Sequence, residues 1–275
     1  MNVKLLCPQW GHEQLAIELF VEQVKATGYD GIETWVPEDS RQRKQLKQKL
    51  EEYSLVFVAH QFRATGSAGK NYCRSFQYHL SQAMELEPIQ INSHSGHDWF
   101  DFDQQLEVID VAAEFEISQK IRVLHETHRG RMGFSPAAFY ALATARPAMR
   151  ITADFSHWVC VTESYLEGFS DIISLAMDRT SHIHARVGFP QGPQVPDPRL
   201  PQYQEAWKQF TGWWTEILIR SYRRKETLLT ITPEFGPPPY MWTNALNRPV
   251  ASQWEINKYI HDWFRTKIAS INSNE

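Results

Sequence analysis

Eight short runs rich in Val, Ile and Leu recur along the chain and limit what it can fold into: VKLLC (3–7), GIETWV (31–36), LVFVAHQ (55–61), IQINSH (89–94), IRVLHE (121–126), MRITADF (149–155), SHIHARV (181–187) and LLTITPEF (228–235). Near-continuous apolar runs of this length belong to strands buried on both faces, as in parallel sheets. Helical patterns lie between them. EQLAIELFVEQVKATG (13–28) places Leu15, Leu19, Phe20 and Val24 on one face and offers Gly28 as a C-cap. Ser135-Pro136 has the cap-then-proline form of a helix start, and 251–269 repeats apolar residues at helical spacing. The runs start roughly 25–33 residues apart, with a wider last interval, which is one strand-plus-helix unit repeated eight times. This rhythm predicts an α/β fold, a single (β/α)8 barrel over 1–275. A doubly wound open sheet needs fewer strands, and a nucleotide-binding one needs a glycine-rich turn after its first strand. Here that turn is CPQWGH, with Gly11 alone. The segment 187–202 carries five prolines and is expected to be a stiff loop over one face, as a lid or a dimer contact.

Charge narrows the partners. The net charge is −4, with a pI near 6.3, so no basic face for phosphate backbones is expected and nucleic acid is disfavoured. The basic run RQRKQLKQK (41–49) has helix-former composition and is read as a solvated helix face. No run approaches the ~20 apolar residues of a membrane span, and no signal peptide is expected from the first residues. Cys7, Cys73 and Cys160 lie far apart, fitting free thiols in a reducing, cytoplasmic setting. Oligomeric state stays open, a homo-oligomer included.

In a (β/α)8 barrel the carboxyl ends of all strands converge on one face, where active sites form. Those ends carry Glu33, His60, His94, Glu126 with His128, Asp154 with His157, His184 with Arg186, and Glu234. Glu126, Asp154, His184 and Glu234 make a hard, mixed oxygen and nitrogen set suited to one divalent ion: Mn, Mg, Co or Zn. Three carboxylates without a cation would repel one another. The competing reading pairs each of them with a nearby arginine. Side-chain alternation sends His125 outward against a helix, and puts His182 one layer below His184.

The motifs HETHRGR, ADFSHW, HIHARV and ITPEFGPPP, in this order at these strand ends, resemble the xylose isomerase-like TIM-barrel superfamily of sugar isomerases and epimerases. The resemblance covers essentially the whole chain. It implies one metal held by Glu126, Asp154, His184 and Glu234, and a substrate contact from His157. In the ketose epimerases an arginine several residues beyond the strand-seven histidine also touches substrate. In this chain Arg186 follows by two, and position 190 is Pro. The implied reaction moves a carbonyl, or inverts the carbon beside it, through an enediolate, with Glu126 and Glu234 as general base and acid. His94 and His60 are candidate substrate hydrogen-bonders. Trp10 and Trp158, with Trp35, Phe62 and Trp99, are candidate stacking faces for a sugar. EFGPPP offers few N–H donors for a phosphate, which favours an unphosphorylated ketose or polyol-derived substrate. A metal-dependent dehydratase of an inosose-like compound and a non-catalytic sugar-binding barrel are the alternatives. A DNA-repair activity like that of endonuclease IV is disfavoured by the acidic charge and an incomplete zinc-ligand set.

Overall fold

The computed structural model describes residues 1–273. Eight parallel strands close into one barrel in sequence order: β1 (Asn2–Pro8), β2 (Gly31–Thr34), β3 (Val56–Gln61), β4 (Gln90–Ser93), β5 (Val123–Glu126), β6 (Ile151–Ala153), β7 (Thr180–Ala185) and β8 (Leu228–Pro233). β8 closes on β1 with Leu5 opposite Ile231. The expected (β/α)8 barrel is therefore the fold. Around it stand α1 (Ile17–Thr27), α2 (Ser40–Glu52), α3 (Lys70–Ala83), α4 (Phe102–Gln119), α5 (Pro136–Ala145), α6 (Phe155–Thr162), α7 (Ser170–Arg179), α8 (Gln204–Arg223) and α9 (Gln253–Ser273). Among the described residues no helix is long and apolar enough to cross a membrane.

Local chemistry sets the helix ends. Gly28 adopts a left-handed conformation (φ 90°) after α1 and returns its N–H to Lys25 and Val24. Ser135 caps α5 by accepting from the Ala138 N–H, with Pro136 in the first turn. The start of α1 differs from expectation. Residues 13–16 form a turn in which the Glu13 carboxylate accepts the Gly11 N–H at 3.0 Å. The helix therefore begins at Ile17, and its buried face is Phe20, Val21 and Val24, while Leu19 points to solvent. The basic run 41–49 lies within α2, capped by the Asp39 carboxylate.

The core fills the layer between barrel and helices, as strands buried on both faces require. The barrel interior itself is polar. Its lower layer joins Gln90, Thr230 and His182 by side-chain hydrogen bonds, and the layer above it holds Glu33, Asn92, Thr232 and His184. That stack carries the strand-end residues to the carboxyl face.

Candidate active site

β5 ends at Glu126 and β7 carries His184. Asp154 leaves β6 to cap α6 through the Ser156 N–H, and Glu234 directly follows β8. Each of these four can bring one ligand atom within 4.8 Å of the other three, and all four are buried. They meet because equivalent strand ends of a closed barrel point at one axis.

Glu33 organises the floor. Its oxygens accept from Asn92 Nδ2 at 3.0 Å, His182 Nε2 at 3.0 Å, His184 Nε2 at 2.9 Å and the Thr232 hydroxyl. Burial alone would raise this carboxyl, but the imidazoles of His184 and His182 hold it well below the usual carboxylate range. With Nε2 spent on Glu33, His184 turns Nδ1 toward Glu234 Oε2 at 2.8 Å and Glu126 Oε2 at 3.5 Å. Neither contact has hydrogen-bond geometry, and Glu126 Oε1 is likewise a buried atom without a partner. Burial disfavours the imidazolium, yet the surrounding Glu234, Glu33 and Glu126 raise His184 well above its ordinary value. A nitrogen and carboxylate oxygens converging without hydrogen bonds between them call for a positive charge at their centre, whether a proton or a metal cation. The donor set and its burial fit a divalent ion.

Arg186 supplies part of that charge. Its guanidinium reaches Asp154 Oδ2 at 2.8 Å and Glu234 Oε2 at 2.6 Å while 2% exposed, and Nη1 stays unpartnered. The guanidinium carbon sits 4.8 Å from the Tyr240 ring centroid and 5.6 Å from that of Trp10. Trp10 can lie there because residue 236 is Gly; a Cβ at that position would meet the indole at 2.3 Å. The competing expectation, carboxylates paired with arginine, therefore describes Asp154 and Glu234 in this structure, but not Glu126.

Above the cluster opens a cavity of about 210 Å³ lined by Trp10, Trp35, His60, Phe62, His94, Glu126, His128, Arg186, Glu234 and Tyr240. Glu126 and Glu234 face it; Asp154 and His184 lie behind. His94 Nε2 stands 3.1 Å from Glu126 Oε2, and His60 Nε2 stands 3.9 Å from it. Burial, then the neighbouring His94, lowers His60 to about 4, so it presents a neutral imidazole. His60, His94 and Glu126 form a second group with metal-ligand spacing, and Glu126 with His128 and His157 a third.

Several expectations change. Trp158 is not a stacking face for a ligand. It is 0% exposed, donates its indole N–H to the Gly133 carbonyl at 2.8 Å, and packs between Phe139 and Phe155. Trp99 stacks on His97 at 5.2 Å and is 65% exposed, away from the cavity. His157 does not line the cavity. It is wholly buried, 3.6 Å from Asp154, with its ring tilted 53° against that of His128 at 3.9 Å, and neither ring nitrogen has a hydrogen-bond partner. His125 turns out of the barrel to Ser95 Oγ at 2.8 Å, as alternation requires. Asn92, Glu33 as an organiser, and Tyr240 were missed. Asn92 lies two residues before His94 on β4, so alternation could have found it; Tyr240 sits in an irregular segment with no comparable signal.

A family profile described as a xylose isomerase-like TIM barrel matches residues 21–194. Solved structures of this fold include D-psicose 3-epimerase with D-tagatose from Clostridium cellulolyticum H10, 14% identical, with a TM-score of 0.63 over 96% of this chain and 98% of that one. A 3-keto-D-glucoside 4-epimerase from E. coli is 14% identical, with a TM-score of 0.58 over 96% of this chain and 100% of that one. A probable 3-DHS dehydratase from Bacillus anthracis is 14% identical, with a TM-score of 0.59 over 87% and 95%. At such identities the likeness concerns the fold. No curated protein matches the chain significantly by sequence.

Proposed function

The chain belongs to the xylose isomerase-like TIM-barrel family, and on that premise we propose that it is a metal-dependent isomerase or epimerase of an unphosphorylated sugar or polyol-derived ketone. The observation that carries this reading is the placement of two carboxylates, Glu126 and Glu234, on the wall of one small cavity, with Asp154 and His184 behind them. The cavity, about 210 Å³, is below the ~300–1,000 Å³ of sites for drug-sized ligands and suits a compound of monosaccharide dimensions.

Glu126, Asp154, His184 and Glu234 would hold one divalent cation. When bound, that ion supplies a Lewis acid for the carbonyl and hydroxyl oxygens of the substrate and so stabilises the enediolate. The chain's own groups do the rest. Glu126 and Glu234 come from the ends of β5 and β8 rather than from neighbouring strands, so they can attend opposite faces of a substrate. One takes the proton from the carbon beside the carbonyl and the other returns it. Arg186 fixes one oxygen of Glu234 and offers its free Nη1 to a substrate oxygen. His94 and neutral His60 hydrogen-bond hydroxyls, while Trp10, Trp35, Phe62 and Tyr240 cover C–H faces and exclude water. His157 stays a proposed aid to Asp154 and His128 rather than a direct substrate contact.

Incubation of the Mn²⁺-loaded protein in D₂O with a panel of ketoses, inososes and short hydroxy-carbonyl compounds tests this. We expect deuterium at the carbon beside the carbonyl, lost on chelation and restored by Mn²⁺. No exchange with any compound would leave a binding barrel without turnover. Exchange accompanied by a product lighter by one water would point to a dehydratase using the same carboxylate pair.

Glu33 orients His184, so Glu33→Gln should weaken Mn²⁺ binding by about 10–100-fold, as loss of the carboxylate behind a ligating histidine does. Titration calorimetry checks this. Unchanged affinity would mean that the imidazole is held by other groups.

A further inference from the structure

Beside the mouth cavity lies a larger one of about 380 Å³, set between the segments that follow β2 and β3 and one face of α3. The two share Trp35, His60 and Phe62 as a common wall. Across the mouth, Trp10 and Tyr240 meet edge to face at 5.2 Å, and Tyr240 also borders a separate cavity of about 340 Å³ beside the 187–202 loop. A substrate longer than one sugar unit can pass over the rim formed by Trp35 and Phe62 toward β2 and β3.

The lining of the second cavity combines aromatic faces (Trp35, Phe62, Tyr78) with the planar amides of Gln61 and Gln82. Its guanidinium groups are already engaged. Arg43 pairs with Glu85 at 2.7 Å and donates to the carbonyls of Pro37 and Glu38, and Arg63 lies 3.3 Å from Glu38. Such a wall suits neutral hydroxyls and C–H faces better than a phosphate.

Gln61 is held in place from behind. It is 3% exposed, and its Oε1 accepts from Ser93 Oγ at 2.9 Å. Ser93 accepts from Ser95 at 2.9 Å, and Ser95 is met by His125 Nδ1 at 2.8 Å. This chain of hydrogen bonds fixes the amide, and its Nε2 is left buried without an acceptor. A buried donor in that state is unfavourable, and this one has no surface open to the cavity as the side chain stands. Neither the chain from His125 to Gln61 nor the Gln61 amide has a part in the proposed proton transfer.

We propose that this cavity is a subsite for a second, uncharged, non-reacting sugar unit, so that the substrate is a glycoside whose reacting ring occupies the mouth cavity. The proposal rests on the reading of the mouth as a site of sugar chemistry.

Calorimetric titration of the Mn²⁺-loaded protein with glucose, glucose 6-phosphate, cellobiose and maltose tests it. At least one disaccharide should bind ten-fold or more tightly than glucose. Gln82→Ala and Tyr78→Ala, both on α3 and outside the barrel, should remove that gain and leave glucose affinity unchanged. Disaccharides binding no better than glucose, no binding by any probe, variants that weaken glucose equally, or a preference for glucose 6-phosphate would each overturn the proposal. Deuterium exchange, followed on the monosaccharide panel and on ketone-bearing disaccharides alike, separates the two readings. Exchange without disaccharide preference removes the subsite and keeps the enzyme, and disaccharide preference without exchange does the reverse.

Discussion

Glu126→Gln and Glu234→Gln should each lower turnover by about 10²–10⁴-fold, the range that a positioned acid or base contributes. Both carboxylates face the mouth cavity, and glutamine keeps their shape while removing the ability to accept a proton. Each is also a proposed metal ligand, so metal content must be measured beside activity. If a variant retains Mn²⁺ at near-parental stoichiometry yet fails to exchange substrate protons, the lost function is proton transfer. If activity returns at high Mn²⁺, the residue acts through the metal and not as the base. Near-normal exchange in either variant at low Mn²⁺ would remove that residue from both roles. Glu126 should be the more sensitive to loss of metal, because Asn92 and His94 are its close side-chain neighbours and no guanidinium holds it. Glu234 retains Arg186.

Arg186→Met should destabilise the metal-free protein by about 3–5 kcal/mol, because removing one partner of a buried ion pair leaves the other charges uncompensated. Here the guanidinium is 2% exposed and bridges Asp154 and Glu234. Burial already raises the Asp154 carboxyl above its ordinary value, and Arg186 opposes that rise. Without Arg186 the Asp154 pKa should climb further. A group whose folded pKa is raised takes up a proton on folding, so the variant should lose least stability at low pH and most as pH rises through the folded pKa. Thermal melts across pH, with and without Mn²⁺, check this. Mn²⁺ should recover part of the loss, since an ion bound only by the folded state offsets the same carboxylates. Arg186→Lys keeps the charge but not the planar fork, and should fall between the two. A methionine variant as stable as the parent in chelator would mean that Asp154 and Glu234 share a proton instead.

The candidate ligands were legible because a β-strand makes its side chains alternate and a closed parallel barrel brings equivalent ends together. Those two rules place Glu126, His184 and the residues just past β6 and β8 at one mouth, whatever the loops do. The same alternation separates His125 from Glu126 and sets His182 a layer below His184. Beyond the strands the rules weaken. ADFSHW reads as a ligand followed by two ring contacts, yet Asp154 caps α6 and the chain turns helical at Phe155. Each residue then rotates about 100° from the last, so nearness to Asp154 no longer sets direction. His157 ends beneath His128 and Trp158 ends in the core.

Composition and spacing thus determined the barrel, its carboxyl face and the four side chains able to share an ion, because these depend on periodicities local to each strand. Only the tertiary structure decided that Arg186 bridges two of those carboxylates, that Glu33 holds His184 from below, and that Tyr240 and Trp10 wall one side of the mouth. Such contacts join residues far apart in the chain, between 32 and 230 positions for these pairs as their numbers show. They depend on how side chains fill a shared volume, which no local periodicity records.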